Sequence, residues 1–114
     1  MSLLKMFAQD NSEFEVTVDQ VSDAIRADSH TLLDVREDDE WAEAHIDGAI
    51  LIPLSQLMER ISELPQDKPL HIICHSGQRS LYAVHMLQQA GHRNPKSVAG
   101  GLVAWAQSGK PLAR

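Results

Sequence analysis

The sequence predicts an α/β domain whose sheet is mostly parallel and carries helices on both faces. Short aliphatic segments such as 31–35 and 70–74 have the length and composition of buried strands. Segments with apolar residues at helical spacing, such as 81–90, lie between them. Strands that alternate with helices favour parallel pairing, because each return to the sheet passes through a helix. A chain of 114 residues fits one domain of this kind.

The N-terminal part contains the first predicted strand and helix. Residues 14–16 are a candidate short strand. Thr17 and Gln20 are spaced as in a capping box, which predicts that a helix begins there. Its apolar residues share one face, which we expect to belong to the core: Val18, Val21, Ala24 and Ile25. Residues 1–13 are mixed and turn polar, so we expect an N-terminal extension over 1–13 and a domain over 14–114.

The remaining elements continue the alternation. Residues 49–52 form the third predicted strand, which Pro53 ends. Ser55 is a candidate N-cap for the next helix, which carries Leu57, Met58, Ile61 and Leu64. A last strand around Val98 and a final helix over 102–107 complete the predicted order of elements.

Composition argues against several classes of function. The net charge of -6 disfavours nucleic-acid binding, which requires basic surface. No apolar run has the length of a membrane span, and the apolar stretch at the N-terminus is too short for a signal peptide. A single cysteine cannot form an internal disulfide, which is compatible with a reducing compartment. We therefore expect a cytoplasmic protein that binds neither nucleic acid nor membrane.

Neither the acidic residues nor the six histidines show the spacing of a metal site. Residues 37–44 are strongly acidic and predict a short, mostly solvated helix that Trp41 anchors. His71 and His75 are four residues apart, but they fall on a strand end and a loop, so helical ligand spacing does not apply. We therefore expect no metal and no cofactor.

The stretch that carries most chemistry is 70–80, where a predicted strand leads through a loop into a helix. The strand ends at Cys74, the only cysteine of the chain. Backbone N–H groups of such a loop can turn inward, and the helix N-terminus points at the same concavity, which makes an anion-binding nest. A nest of this kind favours the thiolate form of cysteine. Arg79 adds a fixed positive charge that could bind an anionic substrate. The alternative is that Arg79 turns outward and pairs with an acidic residue.

This loop defines the candidate site, although a lone cysteine after an apolar run is often only a buried small side chain. A glycine-containing loop that leads directly into a helix is more than such a core cysteine needs, which favours a functional role. Cys74 is the candidate catalytic nucleophile. The candidate substrate-binding residues are those that follow it: His75, Ser76, Gly77, Gln78, Arg79 and Ser80.

Asp34 and Arg36 flank the carboxyl end of the predicted strand 31–35. Ligands of open α/β sheets bind at the carboxyl ends of strands, so both residues are expected near the site and could support it. The alternative is structural: Asp34 would accept hydrogen bonds from nearby backbone donors, and Arg36 would lie on a solvated rim. The pattern favours the structural role for Asp34 and leaves Arg36 open.

Four sequence blocks point to one family. The first is the loop Cys-His-Ser-Gly-Gln-Arg-Ser at 74–80. The others are Leu-Asp-Val-Arg-Glu at 33–37, His-Ile-Asp-Gly-Ala-Ile at 45–50 and Gly-Gly-Leu-Val-Ala-Trp at 100–105. In this order and spacing they resemble the rhodanese-like sulfurtransferases, and the resemblance runs from residue 14 to the C-terminus. Asp47 departs from the family pattern, which has a proline there; this concerns a loop conformation and not the nucleophile.

The resemblance implies a single rhodanese-like domain with five strands and the activity of a sulfurtransferase. In such an enzyme the Cys74 thiolate attacks the outer, sulfane sulfur of a small anion such as thiosulfate, and sulfite leaves. Cys74 then carries a persulfide until a thiol, cyanide or a protein cysteine accepts the sulfur. The resemblance implies no cofactor and no metal.

Two alternative functions stay open. A Cys-loop phosphatase or arsenate reductase places five residues between its cysteine and its arginine, whereas four residues separate Cys74 from Arg79. The smaller ring of amides suits one sulfur atom better than a tetrahedral oxyanion. The other alternative is a non-catalytic rhodanese-like module that binds or senses a partner. Such a module would typically lack the cysteine, which is present here.

Overall fold

Five parallel strands form the sheet of this protein. The computed structural model describes residues 11–114, so residues 1–10 of the expected N-terminal extension lie outside the described part. The strands are β1 (Glu15–Val16), β2 (Thr31–Asp34), β3 (Ile50–Leu51), β4 (Leu70–Ile73) and β5 (Lys96–Val98). They lie in the order β1-β5-β4-β2-β3, and each pair of neighbours is parallel. The predicted five-stranded, mostly parallel sheet is confirmed.

The described part of the chain also contains five α-helices. They are α1 (Val18–Ala27), α2 (Asp38–Glu43), α3 (Leu57–Arg60), α4 (Gln78–Gln89) and α5 (Gly101–Gln107). Within residues 11–114, no helix combines the length and the apolar character that crossing a membrane requires.

Alternate residues of the central strands face two separate cores. In β2, Leu32 and Leu33 lie in different cores, and Ile72 and Ile73 of β4 are divided in the same way. The division arises because successive side chains of a strand point to opposite faces. Helices α3 and α4 cover one core with Leu57, Leu81, Val84 and Leu87. Helices α1 and α5 cover the other with Val21, Leu102 and Trp105. Helices on both faces of the sheet are therefore confirmed.

Helix α1 begins as predicted but buries fewer residues than expected. Gln20 N–H donates to Thr17 Oγ1 at 3.1 Å, and Thr17 N–H donates to Gln20 Oε1 at 2.8 Å, which confirms the capping box. Val21 and Ala24 are buried. The prediction that Ile25 belongs to the core is wrong, since its side chain is 41% exposed. It lies one residue beyond Ala24 and so points about 100° away from it around the helix axis.

The helix expected after Ser55 is interrupted. Helix α3 has a single α-helical turn, with 3₁₀ turns before it at Leu54–Gln56 and after it at Ile61–Glu63. Ser55 lies inside the first 3₁₀ turn and does not cap α3, whose N-cap is Gln56. Met58 of this segment is exposed rather than part of the core. A run of apolar residues at helical spacing does not distinguish an α-helix from such a broken one.

The buried His71 of β4 makes stability sensitive to acid. Its ring stacks on that of His30, with 4.1 Å between the ring centroids. Burial, with a further contribution from His30, lowers the pKa of His71 from 6.5 to about 4. As the pH falls, the His71 ring therefore becomes protonated in the unfolded chain before it does so in the folded protein. The contribution of neutral His71 to stability is complete above pH 6.5 and is lost as the pH falls towards 4.

His71→Phe should therefore reduce the loss of stability between pH 6.5 and pH 4. The wild type should lose up to about 3 kcal/mol of its free energy of unfolding over this range because of His71. Urea unfolding of both proteins at about pH 7 and about pH 4 measures the difference. Equal losses in the two proteins would contradict the assignment.

Candidate active site

Cys74 directly follows the central strand β4 and lies at the carboxyl edge of the sheet. The neighbouring strands β2 and β5 end at the same edge, because both pair with β4 in parallel. The Cys74 side chain is buried, with 1% exposed, and packs in the core that α3 and α4 cover. Helix α4 begins at Gln78, earlier than the sequence suggested, so Arg79 and Ser80 lie in its first turn.

Three hydrogen-bonding groups surround the sulfur. The backbone N–H of Gly77 lies 3.1 Å from Cys74 Sγ, and that of Ser80 lies 3.4 Å away. The hydroxyl oxygen of Ser80 is also 3.4 Å from the sulfur. The inward-turned N–H groups that the sequence predicts for this loop are present. Together these groups can stabilise negative charge on the sulfur or on an atom bound to it.

A second hydroxyl extends this set into the core. Ser97 of β5 places its Oγ 2.6 Å from Ser80 Oγ, and both side chains are fully buried. A thiol at Cys74 can donate to Ser80, which then donates to Ser97. With a thiolate the order reverses, because both hydroxyls can rotate to donate towards the sulfur. Ser97 was not among the predicted site residues, since one serine in a strand carries no distinguishing signal.

Gly77 allows the loop to turn tightly around the sulfur. Its φ of +108° lies in the region that side chains avoid. A Cβ at this position would also lie 3.3 Å from the backbone nitrogen of Gly100. The resulting conformation directs the Gly77 N–H at Cys74 Sγ.

Helix α5 holds the loop from the other side. A Cβ on Gly101 would lie only 2.5 Å from the carbonyl oxygen of His75, so a side chain at 101 would displace the loop. The close approach lets Leu102 N–H donate to the Cys74 carbonyl at 2.9 Å. Val103 N–H donates to the His75 carbonyl at 3.1 Å. These carbonyls face α5.

Arg79 is held by Glu40 of α2. Its two terminal nitrogens donate to the two carboxylate oxygens at 2.7 and 2.8 Å, the parallel arrangement that guanidinium and carboxylate groups favour. This hydrogen bonding lowers the pKa of Glu40 to about 2. It also raises the pKa of Arg79, and the charges of Cys74 and Asp34 act in the same direction. The sequence favoured Arg79 as a cation for the substrate, whereas in the structure Glu40 already matches its charge.

Asp34 and Arg36 form a buried ion pair beside α2. Arg36 Nη2 donates to Asp34 Oδ2 at 2.8 Å, and their side chains are 3% and 1% exposed. Arg36 also donates to the carbonyl oxygens of Glu40 and Ala44, at 3.3 and 2.8 Å. Arg36 is therefore buried rather than on a solvated rim. The pair positions the segment that presents Glu40 to Arg79.

The candidate loop residues lie at two depths. Gly77 and Ser80 are buried against the sulfur, and Arg79 is half-buried. The side chains of His75, Ser76 and Gln78 are exposed on the same loop. An incoming molecule therefore meets a polar surface first and the sulfur beneath it.

Glu40 was expected on a mostly solvated helix, whereas its carboxylate binds Arg79. The run 37–43 contains several carboxylates, and no pattern in it indicates which one turns inward. Within residues 11–114, no three His, Cys, Asp or Glu side chains converge as ligands of a metal ion would. That the site works without metal or cofactor stays a prediction.

Comparisons of the sequence identify relatives. Residues 17–108 match the family model of the rhodanese-like domain. The chain is 37% identical over 81 residues to a sulfurtransferase of Allochromatium vinosum, which covers 71% of this chain and 76% of that protein. It is 35% identical over 92 residues to the candidate sulfur carrier protein YrkF of Bacillus subtilis. This match covers 80% of this chain. The chain spans 50% of the length of YrkF and 21% of a longer relative from Mycobacterium tuberculosis.

Solved structures share the fold. A rhodanese-related protein from Thermoplasma volcanium matches with a TM-score of 0.80 and 35% sequence identity. The match covers 87% of this chain and 96% of that one. The relatives thus agree with the family that the four sequence blocks predicted and with the observed fold. The chain belongs to the rhodanese-like family of sulfurtransferases and sulfur carriers.

Proposed function

We propose that this chain is a sulfurtransferase that carries a sulfane sulfur as a persulfide on Cys74. The observation that supports this most directly is the set of donors around Cys74 Sγ, two N–H groups and one hydroxyl within 3.4 Å. A persulfide adds one sulfur beyond Sγ, where the loop and the N-terminus of α4 favour negative charge. A sulfurtransferase and a candidate sulfur carrier among the relatives support the same class of reaction.

The first half-reaction loads the cysteine. With thiosulfate as donor, the Cys74 thiolate attacks the outer sulfur and a new S–S bond forms. The bond between the two sulfur atoms of thiosulfate breaks, and sulfite leaves with its electron pair. Cys74 keeps the outer sulfur as a persulfide anion, stabilised by Gly77 and Ser80 N–H groups. The exposed residues His75, Ser76 and Gln78 would contact the departing group.

The second half-reaction unloads it. A thiolate or cyanide attacks the outer sulfur of the persulfide, and the bond from that sulfur to Cys74 Sγ breaks. The Cys74 thiolate is restored, and the acceptor leaves as a persulfide or as thiocyanate. We infer that the acceptor in the cell is a small thiol or a protein cysteine. Two separate half-reactions imply ping-pong kinetics.

Phosphoryl transfer is the competing enzyme function, and the loop geometry disfavours it. A phosphoryl or arsenyl group presents three equatorial oxygens, each of which needs donors around it. In this loop the N–H groups of Gly77 and Ser80 lie at the sulfur itself. Four residues between Cys74 and Arg79 make a ring that would crowd such a group. A purely binding or sensing module would not need donors directed at a thiol.

Incubation with thiosulfate is expected to increase the intact mass of the protein by one sulfur atom. Cyanide or a thiol should then remove that atom, because both attack the outer sulfur of a persulfide. Intact-protein mass spectrometry measures both steps, with hydrolysis of a chromogenic aryl phosphate assayed in parallel. Aryl phosphate turnover without a sulfur adduct would support the phosphatase alternative. Absence of both activities would support a binding module.

A further inference from the structure

The pairing of Arg79 with Glu40 bears on which sulfur donor the site accepts. Arg79 directly precedes Ser80, whose N–H and hydroxyl face the sulfur of Cys74. Both terminal nitrogens of its guanidinium are hydrogen-bonded to the Glu40 carboxylate. The pair carries no net charge. An anion that approaches Cys74 therefore gains less attraction than a free arginine would provide.

Glu40 is supported in this position on two sides. The backbone N–H of Glu37 donates to Glu40 Oε1 at 2.9 Å. The backbone carbonyl of Glu40 accepts a hydrogen bond from Arg36, which also pairs with the buried Asp34. An isolated surface ion pair is usually weak, because two free side chains must be ordered to form it. Here the backbone contacts already place the carboxylate in front of Arg79.

The surroundings of this pair add negative charge. Helix α2 and its N-cap carry four exposed carboxylates: Glu37, Asp38, Asp39 and Glu43. Because Glu40 matches the charge of Arg79, these carboxylates leave the α2 side of the site negative overall. A dianion such as thiosulfate is repelled by this charge more than a neutral molecule is.

We propose that Glu40 determines which sulfur donor the site prefers. Because Glu40 neutralises Arg79, Cys74 reacts more readily with sulfane donors of low negative charge than with thiosulfate. The matching chemistry is an alkyl persulfide with an uncharged alkyl group, and this inference rests on the proposed sulfur transfer. The Cys74 thiolate attacks the outer sulfur of the protonated persulfide, its S–S bond breaks, and an alkyl thiolate leaves with the electron pair. Cys74 keeps the outer sulfur and its proton, and no oxidant or reductant is consumed.

Glu40→Gln tests the charge while keeping the local structure. The glutamine oxygen can still accept the hydrogen bond from Glu37, as in other capping boxes. Cys74 is the only cysteine, so alkylation reports on it alone. We define the alkylation ratio as the rate with anionic iodoacetate divided by the rate with neutral iodoacetamide. This ratio should rise about fivefold, which corresponds to the free energy of a partly exposed ion pair. This measurement does not depend on sulfur transfer.

Two further variants serve as controls. Glu43→Gln removes the same charge from an exposed position on the same helix, so its alkylation ratio should change less than about twofold. Adding Arg79→Ala to Glu40→Gln should cancel the increase, because the guanidinium that lacks a counter-charge is then gone. Thermal melting of each variant establishes that it is folded.

Steady-state kinetics test the donor preference itself. The ratio of kcat/KM for thiosulfate to that for the alkyl persulfide should rise about fivefold in Glu40→Gln. Arg79→Ala in the otherwise wild-type protein should lower the ratio, because it leaves the Glu40 carboxylate near Cys74 without its charge partner.

Three results would overturn the inference. The first is an unchanged alkylation ratio in a folded Glu40→Gln protein. The second is an equal increase in Glu43→Gln, which would reduce the effect to net charge. The third is an increase in the alkylation ratio that persists when Arg79→Ala is added to Glu40→Gln, which would show that the charge of Arg79 is not its cause. If the wild type accepted sulfur from neither donor, both the proposed function and the donor preference would be wrong. The alkylation ratio would still measure the effect of Glu40 and Arg79 on an incoming anion.

Discussion

Cys74→Ser should abolish sulfur transfer while the protein stays folded. A serine hydroxyl remains protonated where a thiol can ionise, and it does not form a persulfide. Serine is close in size to cysteine, and the Gly77 N–H and Ser80 hydroxyl that face Cys74 can hydrogen-bond to its oxygen. We expect turnover of thiosulfate and cyanide to fall by at least about 10³-fold.

The measurement combines turnover, intact mass after thiosulfate, and thermal melting of the variant. Cys74→Ala serves as the companion variant, since it removes the hydrogen-bonding atom as well as the sulfur. Both variants should lack the sulfur adduct. Thiosulfate–cyanide turnover by a folded serine variant would disprove the assignment of Cys74 as nucleophile.

Arg36→Met should destabilise the protein strongly. It leaves the Asp34 carboxylate, which is 1% exposed, without its charged partner. It also removes the hydrogen bonds to the carbonyl oxygens of Glu40 and Ala44. Removing one member of a buried ion pair typically costs about 3–5 kcal/mol, because the remaining charge is uncompensated. Urea denaturation of the variant and the wild type measures this loss.

Arg26→Met is the matched control for that experiment. Arg26 also pairs with an aspartate, Asp23, but both side chains are 70% exposed. We expect its free energy of unfolding to stay within about 0.5 kcal/mol of the wild type. The double variant Asp34→Asn, Arg36→Met should be less destabilised than Arg36→Met alone, since no buried charge remains. Equal losses in the free energy of unfolding for Arg36→Met and Arg26→Met would contradict the structural role of the buried pair.

Local signals predicted much of the fold. The capping box at Thr17 and Gln20 placed the start of α1, because its two hydrogen bonds join residues three apart. The mostly aliphatic run before Cys74 indicated the central strand, since a strand buried on both faces is rich in apolar residues. The glycine after Cys74 indicated the tight loop. Each of these features is set by residues close together in the sequence.

The features that the sequence did not reveal depend on distant contacts. Arg79 and Glu40 are 39 residues apart, and only the folded sheet brings their elements together. Ser97 joins the site from β5, 17 residues after Ser80. The interruption of the helix around α3 also escaped prediction, because apolar spacing alone does not report where backbone hydrogen bonds change from α to 3₁₀. Side-chain partners of this kind require the tertiary structure.

The contacts between helix α5 and the Cys74 loop form only after the loop itself has been synthesised. Leu102 and Val103 supply the N–H groups that hold the Cys74 and His75 carbonyls, and Gly101 makes the approach possible. A ribosome translates these three residues after the loop, so the nascent cysteine first exists without them. The Cys74 thiol therefore gains its final surroundings only when the C-terminal helix has emerged and docked. A chain truncated before that helix would carry a cysteine without these contacts.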